Sequence, residues 1–173
     1  LAASFETGVL PHPGRGANWI DPAFGRVGAT THMGENTLAI FGADPEGQPQ
    51  NAWKVVREVT LPAAGSLFLK THPASPWVVA DMTLATDTKA MRQLCAYGKQ
   101  AGKIDHCFEV TTHGKVVHPE FNRAGDEIWV SVWDTDGELV VYDSTSLAEK
   151  ARITGLKTPT GKFNVYNTAH DVY

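Results

Sequence analysis

With 173 residues, 42% of them hydrophobic and 20% charged, the chain is long enough for one domain with a real core. A formal net charge of −4 argues against a nucleic acid or an anionic membrane as partner. No apolar run approaches the roughly 18 residues a membrane helix needs. The start at Leu1, with neither methionine nor a signal peptide, reads as a cut or mature end.

The first segment with chemical character is Pro11-His12-Pro13-Gly14-Arg15-Gly16-Ala17-Asn18. The prolines on either side of His12 fix the backbone and keep it out of helix and central strand. Gly14 and Gly16 permit tight turning and close approach by a ligand. Arg15 offers a planar fork to a carboxylate. By residue type alone, such a loop is better explained by punctuation with an exposed histidine than by a site for a small anion.

Downstream the pattern is β throughout. Residues 67–69 and 77–80 read as strands, and residues 87–93 tempt a helical reading without the length to sustain one. The two cysteines, Cys95 and Cys107, fit neither a paired-CxxC zinc site nor a CxxCH haem attachment. They flank a hairpin loop at 98–103, whose turn sets the thiols across from each other. In an oxidising compartment that pair could close a disulfide; two half-buried small residues is the reading preferred here. Residues 127–133 and 138–143 alternate cleanly on either side of Asp136-Gly137, a strong hairpin signal.

An X-Pro turn precedes a strand pair at Pro22, Pro73, Pro119 and Pro159, a period of about 45 residues with several strands per unit, which is the mark of propeller blades. A β-sandwich fits the number of strands but not the period. The expected fold is therefore all-β, three to four blades of a propeller.

The C-terminal stretch Thr158-Pro159-Thr160-Gly161-Lys162-Phe163-Asn164-Val165-Tyr166-Asn167-Thr168 places an aromatic two residues after a glycine, a flat platform beside an open backbone. A plain strand with a core phenylalanine would show much the same pattern. Together with the His12 loop, however, the full string resembles the haem d1-binding domain of cytochrome cd1 nitrite reductases. The resemblance covers essentially the whole chain but only the C-terminal part of that family.

It implies that residues 1–173 are the C-terminal portion of an eight-bladed haem d1 propeller, with the haem c domain and N-terminal blades absent. It implies reduction of nitrite by one electron to nitric oxide at haem d1, in the periplasm. The parent would be a homodimer fed by a small electron-donor protein of the cytochrome c or cupredoxin type, with no nucleic acid or membrane partner. His12 corresponds to a distal histidine and is the expected acid, Arg15 to a contact of the cofactor, and Thr160, Gly161 and Phe163 to the lining of its pocket. His118 departs from the family, which carries glutamine there facing the cofactor; a histidine keeps one donor and adds a titrating group. The axial ligand and second distal histidine match nothing here and are expected upstream. The loop after Trp133 is shorter than in typical reductases and resembles the d1-biogenesis proteins of the same fold. A biogenesis role, and a cofactor-free interaction module, are the alternatives.

His72, in the repeat turn, is expected to be structural. His32 is left open, and His106, His113 and His170 show no ligand spacing.

Overall fold

The structure, a computed structural model, describes residues 3–12 and 16–159. Its strands form three four-stranded antiparallel sheets. The first contains β1 (Ala17–Asp21), β2 (Gly25–Thr31), β3 (Thr37–Gly42) and β4 (Val55–Thr60), in that order. The second contains β5 (Leu69–Thr71), β6 (Trp77–Ala80), β7 (Gln93–Gly98) and β8 (Lys103–Glu109). The third contains β9 (Lys115–Phe121), β10 (Glu127–Trp133), β11 (Gly137–Asp143) and β12 (Glu149–Leu156). The stretch tempting as helix holds one 3-10 turn, Ala90–Arg92.

Each sheet is an up-and-down meander, and the sheets meet through their first strands: β1 contacts β5, and β5 contacts β9. This is the expected all-β propeller arrangement, with three blades among the described residues. The phase of the repeat differs from the sequence reading. Pro22 and Pro73 follow β1 and β5, and Pro119 lies within β9, so each blade begins one strand before its proline turn. That first strand is short or interrupted in the sequence, which hides its alternation.

Alternation in the middle blade builds two cores at once. Val78, Ala80, Cys95 and Tyr97 pack with Trp19, Val27, Leu38 and Ile40 of the first blade. Their sequence neighbours Val79, Leu94 and Ala96 pack with Val116, Ile128, Val130 and Val140 of the third. Because both faces are covered, β6 and β7 read as unbroken apolar runs instead of half-polar alternation. Each fully buried Val or Leu contributes about 1.5–3 kcal/mol of transfer free energy.

Polar ties lock the blades together. Ser75 Oγ donates to the Ser144 carbonyl at 2.9 Å, and Trp77 Nε1 donates to the Thr145 carbonyl at 2.8 Å. The turn before β10 is organised by Asn122, whose Oδ1 accepts from the Gly125 and Asp126 amides at 2.9 and 3.1 Å. Gly125 has φ +76°, and a Cβ there would meet His72 Nδ1 at 1.9 Å. Conformation and close approach therefore both require glycine.

Cys95 and Cys107 are opposed in the β7–β8 register and joined by a disulfide. This corrects the expectation of two half-buried thiols: Cys95 is fully buried in the core between the blades, and the antiparallel pairing delivers its partner to the same face. The bridge pins β8, the outermost strand of its sheet. Closing a loop of 12 residues' separation restricts the unfolded chain, so reduction should lower unfolding free energy by about 2–3 kcal/mol. Urea melts with and without dithiothreitol check this; coincident curves would show that the bridge contributes nothing.

Candidate functional site

The segment holding His12 is docked rather than loose. It runs antiparallel beside the end of β2, with the Met33 amide donating to the Leu10 carbonyl at 2.9 Å and the His12 amide to the Thr31 carbonyl at 3.3 Å. His32, left open by the sequence, is fully buried and fixes the next turn: Nδ1 lies 2.8 Å from the Thr37 carbonyl. It belongs to the core. Pro11 suits this extended path.

The structure brings His12 and His118 together on a third ring. Phe68, just before β5, lies 5.1 Å from the His12 ring, edge-on, and 4.1 Å from the His118 ring, both measured between centroids. One ring comes from the N-terminal segment tied to the first blade, one from the second blade and one from the third. All three are half-buried. Beside them, Lys70 pairs with Glu120 at 3.4 Å, joining β5 to β9.

His118 takes φ +52°, a left-handed conformation that costs a residue with a side chain about 1–2 kcal/mol, and one disfavoured before proline. The β9–β10 register slips at this point, between the pairs Trp129↔Glu120 and Ser131↔Val117, leaving one extra residue on β9. A bulge of this kind re-aims a side chain, here toward Phe68.

Beneath the rings lies Asp81, fully buried. Its Oδ1 accepts from the amides of Leu67 at 2.8 Å and Phe68 at 3.0 Å, and the Ser66 hydroxyl lies 3.4 Å away. Burial pushes its carboxyl up to about 6, against the pull of those amides and the His118 amide. A folded-state value above the unfolded value of about 3.9 means stability present at low pH and lost as pH rises. Unfolding free energy should fall by about 3 kcal/mol in all as pH rises from about 3 to about 7, roughly 2 kcal/mol of it between about pH 4 and 6. The Asp81→Asn variant should lack that slope in urea titrations across the range; an unchanged slope would assign it to other groups.

Arg15, Thr160, Gly161, Phe163 and His170 lie outside the described residues. Of the other histidines, His72 is buried and structural in its contacts: Nδ1 accepts from the Ala74 amide at 3.1 Å, and its carbonyl accepts from Lys99 Nζ at 2.8 Å. His113 pairs with Asp134 at 3.0 Å and lines a cleft of about 380 Å³ with Glu138 and Arg152. Arg152 there is committed to Glu138, Glu149 and the Val110 carbonyl. Among the described residues no group of three or more His, Cys, Asp or Glu could hold a metal ion, and no helix is long and apolar enough to cross a membrane.

Sequence reasoning missed Phe68 and Asp81. Phe68 looked like an ordinary strand residue, and nothing local distinguishes it. Asp81 had a signal: a carboxylate directly after the apolar run of β6 must be paired or raised in pKa if buried.

Comparison with known proteins adds to this geometry. The sequence profile of the "Cytochrome D1 heme domain" family matches residues 1–168. The chain is 37% identical over 193 aligned positions to a nitrite reductase of Stutzerimonas stutzeri, covering 100% of this chain and 34% of that protein. It is 35% identical over 167 positions to a dihydro-heme d1 dehydrogenase of Pseudomonas aeruginosa, covering 95% of this chain and 31% of that protein. The solved structure of dihydro-heme d1 dehydrogenase NirN in complex with DHE superposes with a TM-score of 0.77 at 29% identity, over 90% of this chain and 31% of that one. A putative 6-phosphogluconolactonase from Bacteroides uniformis, at 12% identity and a TM-score of 0.62 over 87% of this chain and 43% of that one, shares the fold alone. The chain spans about a third of the length of the curated relatives it matches. With the profile matched from end to end of the propeller blades and the two motifs of the sequence inside it, this chain belongs to the cytochrome d1 haem domain family.

Proposed function

We propose that residues 1–173 are the C-terminal part of a haem d1-binding propeller in a nitric-oxide-forming nitrite reductase. The observation that carries the proposal is the convergence of His12 and His118 on Phe68. Three half-buried rings from three different parts of the chain, one on strained backbone, suit the face of a flat macrocycle and provide two imidazoles beside it. These residues fit haem d1. His12, Phe68 and His118 would line it, with Arg15 holding a carboxylate and Thr160, Gly161 and Phe163 completing the pocket.

When bound, haem d1 supplies the Lewis-acidic iron and the single electron. The balance of the reaction is nitrite plus one electron and two protons, giving nitric oxide and water. The chain's own task is to hold protons near a nitrite oxygen and to exclude bulk water. Imidazole is the side chain suited to proton delivery near neutral pH, and His12 is the candidate acid, with His118 beside it on the same phenyl ring. Arg15 paired to a cofactor carboxylate would have its charge offset, so that it does not acidify His12. The haem c domain, the axial ligand and a second distal histidine belong to other parts of the parent protein. A small cytochrome c or cupredoxin would donate electrons to a homodimeric parent. The disulfide favours the periplasm, since such bridges persist in oxidising compartments.

The second reading is haem d1 biogenesis, favoured by the 35% identical dehydrogenase and by the NirN structure. The experiment reconstitutes the whole protein with haem d1 and offers it nitrite with a reduced donor, then separately offers it dihydro-haem d1. Nitric oxide formation is expected. Binding with oxidation of the dihydro form and no nitric oxide would transfer the chain to biogenesis, and absence of binding would remove both readings.

A further inference from the structure

The three rings of the site sit on three separate stretches of chain, and the bonds beneath them converge on one side chain. Phe68 is held directly: its amide donates to Asp81 Oδ1 at 3.0 Å, and its carbonyl accepts from the Asp81 amide at 3.2 Å. The His118 amide acts on the same carboxylate, favouring its ionised form, and His118 sits on the β9 bulge next to that network. His12 is held at one remove. Its amide donates to the Thr31 carbonyl at 3.3 Å, and Thr31 Oγ1 accepts at 2.8 Å from Ser66 Oγ, which lies 3.4 Å from Asp81 Oδ1. Thr83, two residues along from Asp81, donates to the Val116 carbonyl at 2.7 Å and ties that stretch to the third blade. Thr31, Ser66, Asp81 and Thr83 are all buried.

We propose that Asp81 is the positioning residue of the site, a buried carboxylate that sets Phe68, His118 and His12 relative to one another across three blades. It touches neither the cofactor nor the substrate in this role; it acts through the backbone on which the rings are mounted. A carboxylate is suited to this because its oxygens can accept several amides from different directions. An apolar residue of similar volume would pack as well but leave those amides unpaired. The raised carboxyl pKa is consistent with a group kept at a cost to folding. Sites of this kind depend on the shell that supports them, and displacement of about 1 Å suffices to impair function.

The cofactor half of the test rests on the proposed function; the other half does not. Asp81→Asn and Asp81→Ala are compared with Val140→Ala, a truncation in the core between the second and third blades, all in the whole protein. The first readout is the ¹⁵N-imidazole signals of His12 and His118 without cofactor, with the exposed His106 as internal reference. The second is titration with haem d1 and the absorption spectrum of the bound form. Both Asp81 variants should move the His118 and His12 signals, weaken binding by about tenfold or more and shift the spectrum, while Val140→Ala changes none of these. Should Asp81→Ala fail to fold, Asp81→Asn retains an acceptor for the Phe68 amide and keeps the test open. Unmoved His12 and His118 signals in the Asp81 variants would overturn the proposal. Moved signals in a protein whose wild type binds no haem d1 would uphold it and reject the cofactor reading alone.

Discussion

His12→Ala is expected to reduce nitrite turnover in the whole protein by about 10²–10⁴-fold, the range that a positioned general acid commands. Haem d1 affinity should change far less, by about tenfold at most, since one neutral contact is worth about 0.5–1.5 kcal/mol. The split follows from geometry: the ring meets Phe68 edge-on at 5.1 Å, while the backbone beneath it is anchored to Thr31 independently of the side chain. Removal of the imidazole therefore leaves the surrounding surface in place. Parallel measurement of turnover and of cofactor titration decides the matter. Equal turnover in the variant and the wild type would take His12 out of the proton-delivery role, and a collapse of cofactor binding would make it a binding residue instead.

Asp21→Ala should cost about 3 kcal/mol of unfolding free energy, the low end of what breaking a buried ion pair costs. Asp21 closes β1 with its side chain fully buried, and Arg57 Nη1 donates to its Oδ2 at 2.7 Å. The same nitrogen donates to Tyr97 Oη at 2.7 Å, so the pair ties the first blade to the second. The low end is chosen because Arg57 retains 24% exposure and water can resolvate it once the carboxylate is gone. Tyr97→Phe removes only the hydroxyl and should cost about 1 kcal/mol. Urea denaturation of both variants tests the ordering; a loss below about 1 kcal/mol for Asp21→Ala would mean that water already screens the pair.

The legible part of the fold was whatever repeats or alternates. Strands 127–133 and 138–143 and the turn at Asp136-Gly137 follow from local chemistry, and the structure pairs them as β10 and β11. The proline turns announced the blades, but the first strand of each was obscured. β5 is only three residues long and β9 is interrupted by the bulge at His118, so neither shows a period. At the site, residue type alone favoured loop punctuation for His12, and it was the resemblance to the d1 family that singled out His12 and His118. Phe68 could not be singled out, because its role depends on which neighbours the blades bring to it. The disulfide lay between these cases: the hairpin aligned the thiols, but sequence does not say that the pair has closed.

The middle blade divides consecutive residues between opposite partners, Val78 toward the first blade and Val79 toward the third. Position along the chain is thus a poor guide to energetic kinship. Val78 shares its fate with Leu38, forty residues away by number, more than with the residue bonded to it. The blades then behave as an array with nearest-neighbour coupling, in which a lesion at one junction weakens that junction first. Truncations at 78 and 79 should accordingly loosen different seams in hydrogen exchange, with amides of the first blade reporting one and amides of the third reporting the other.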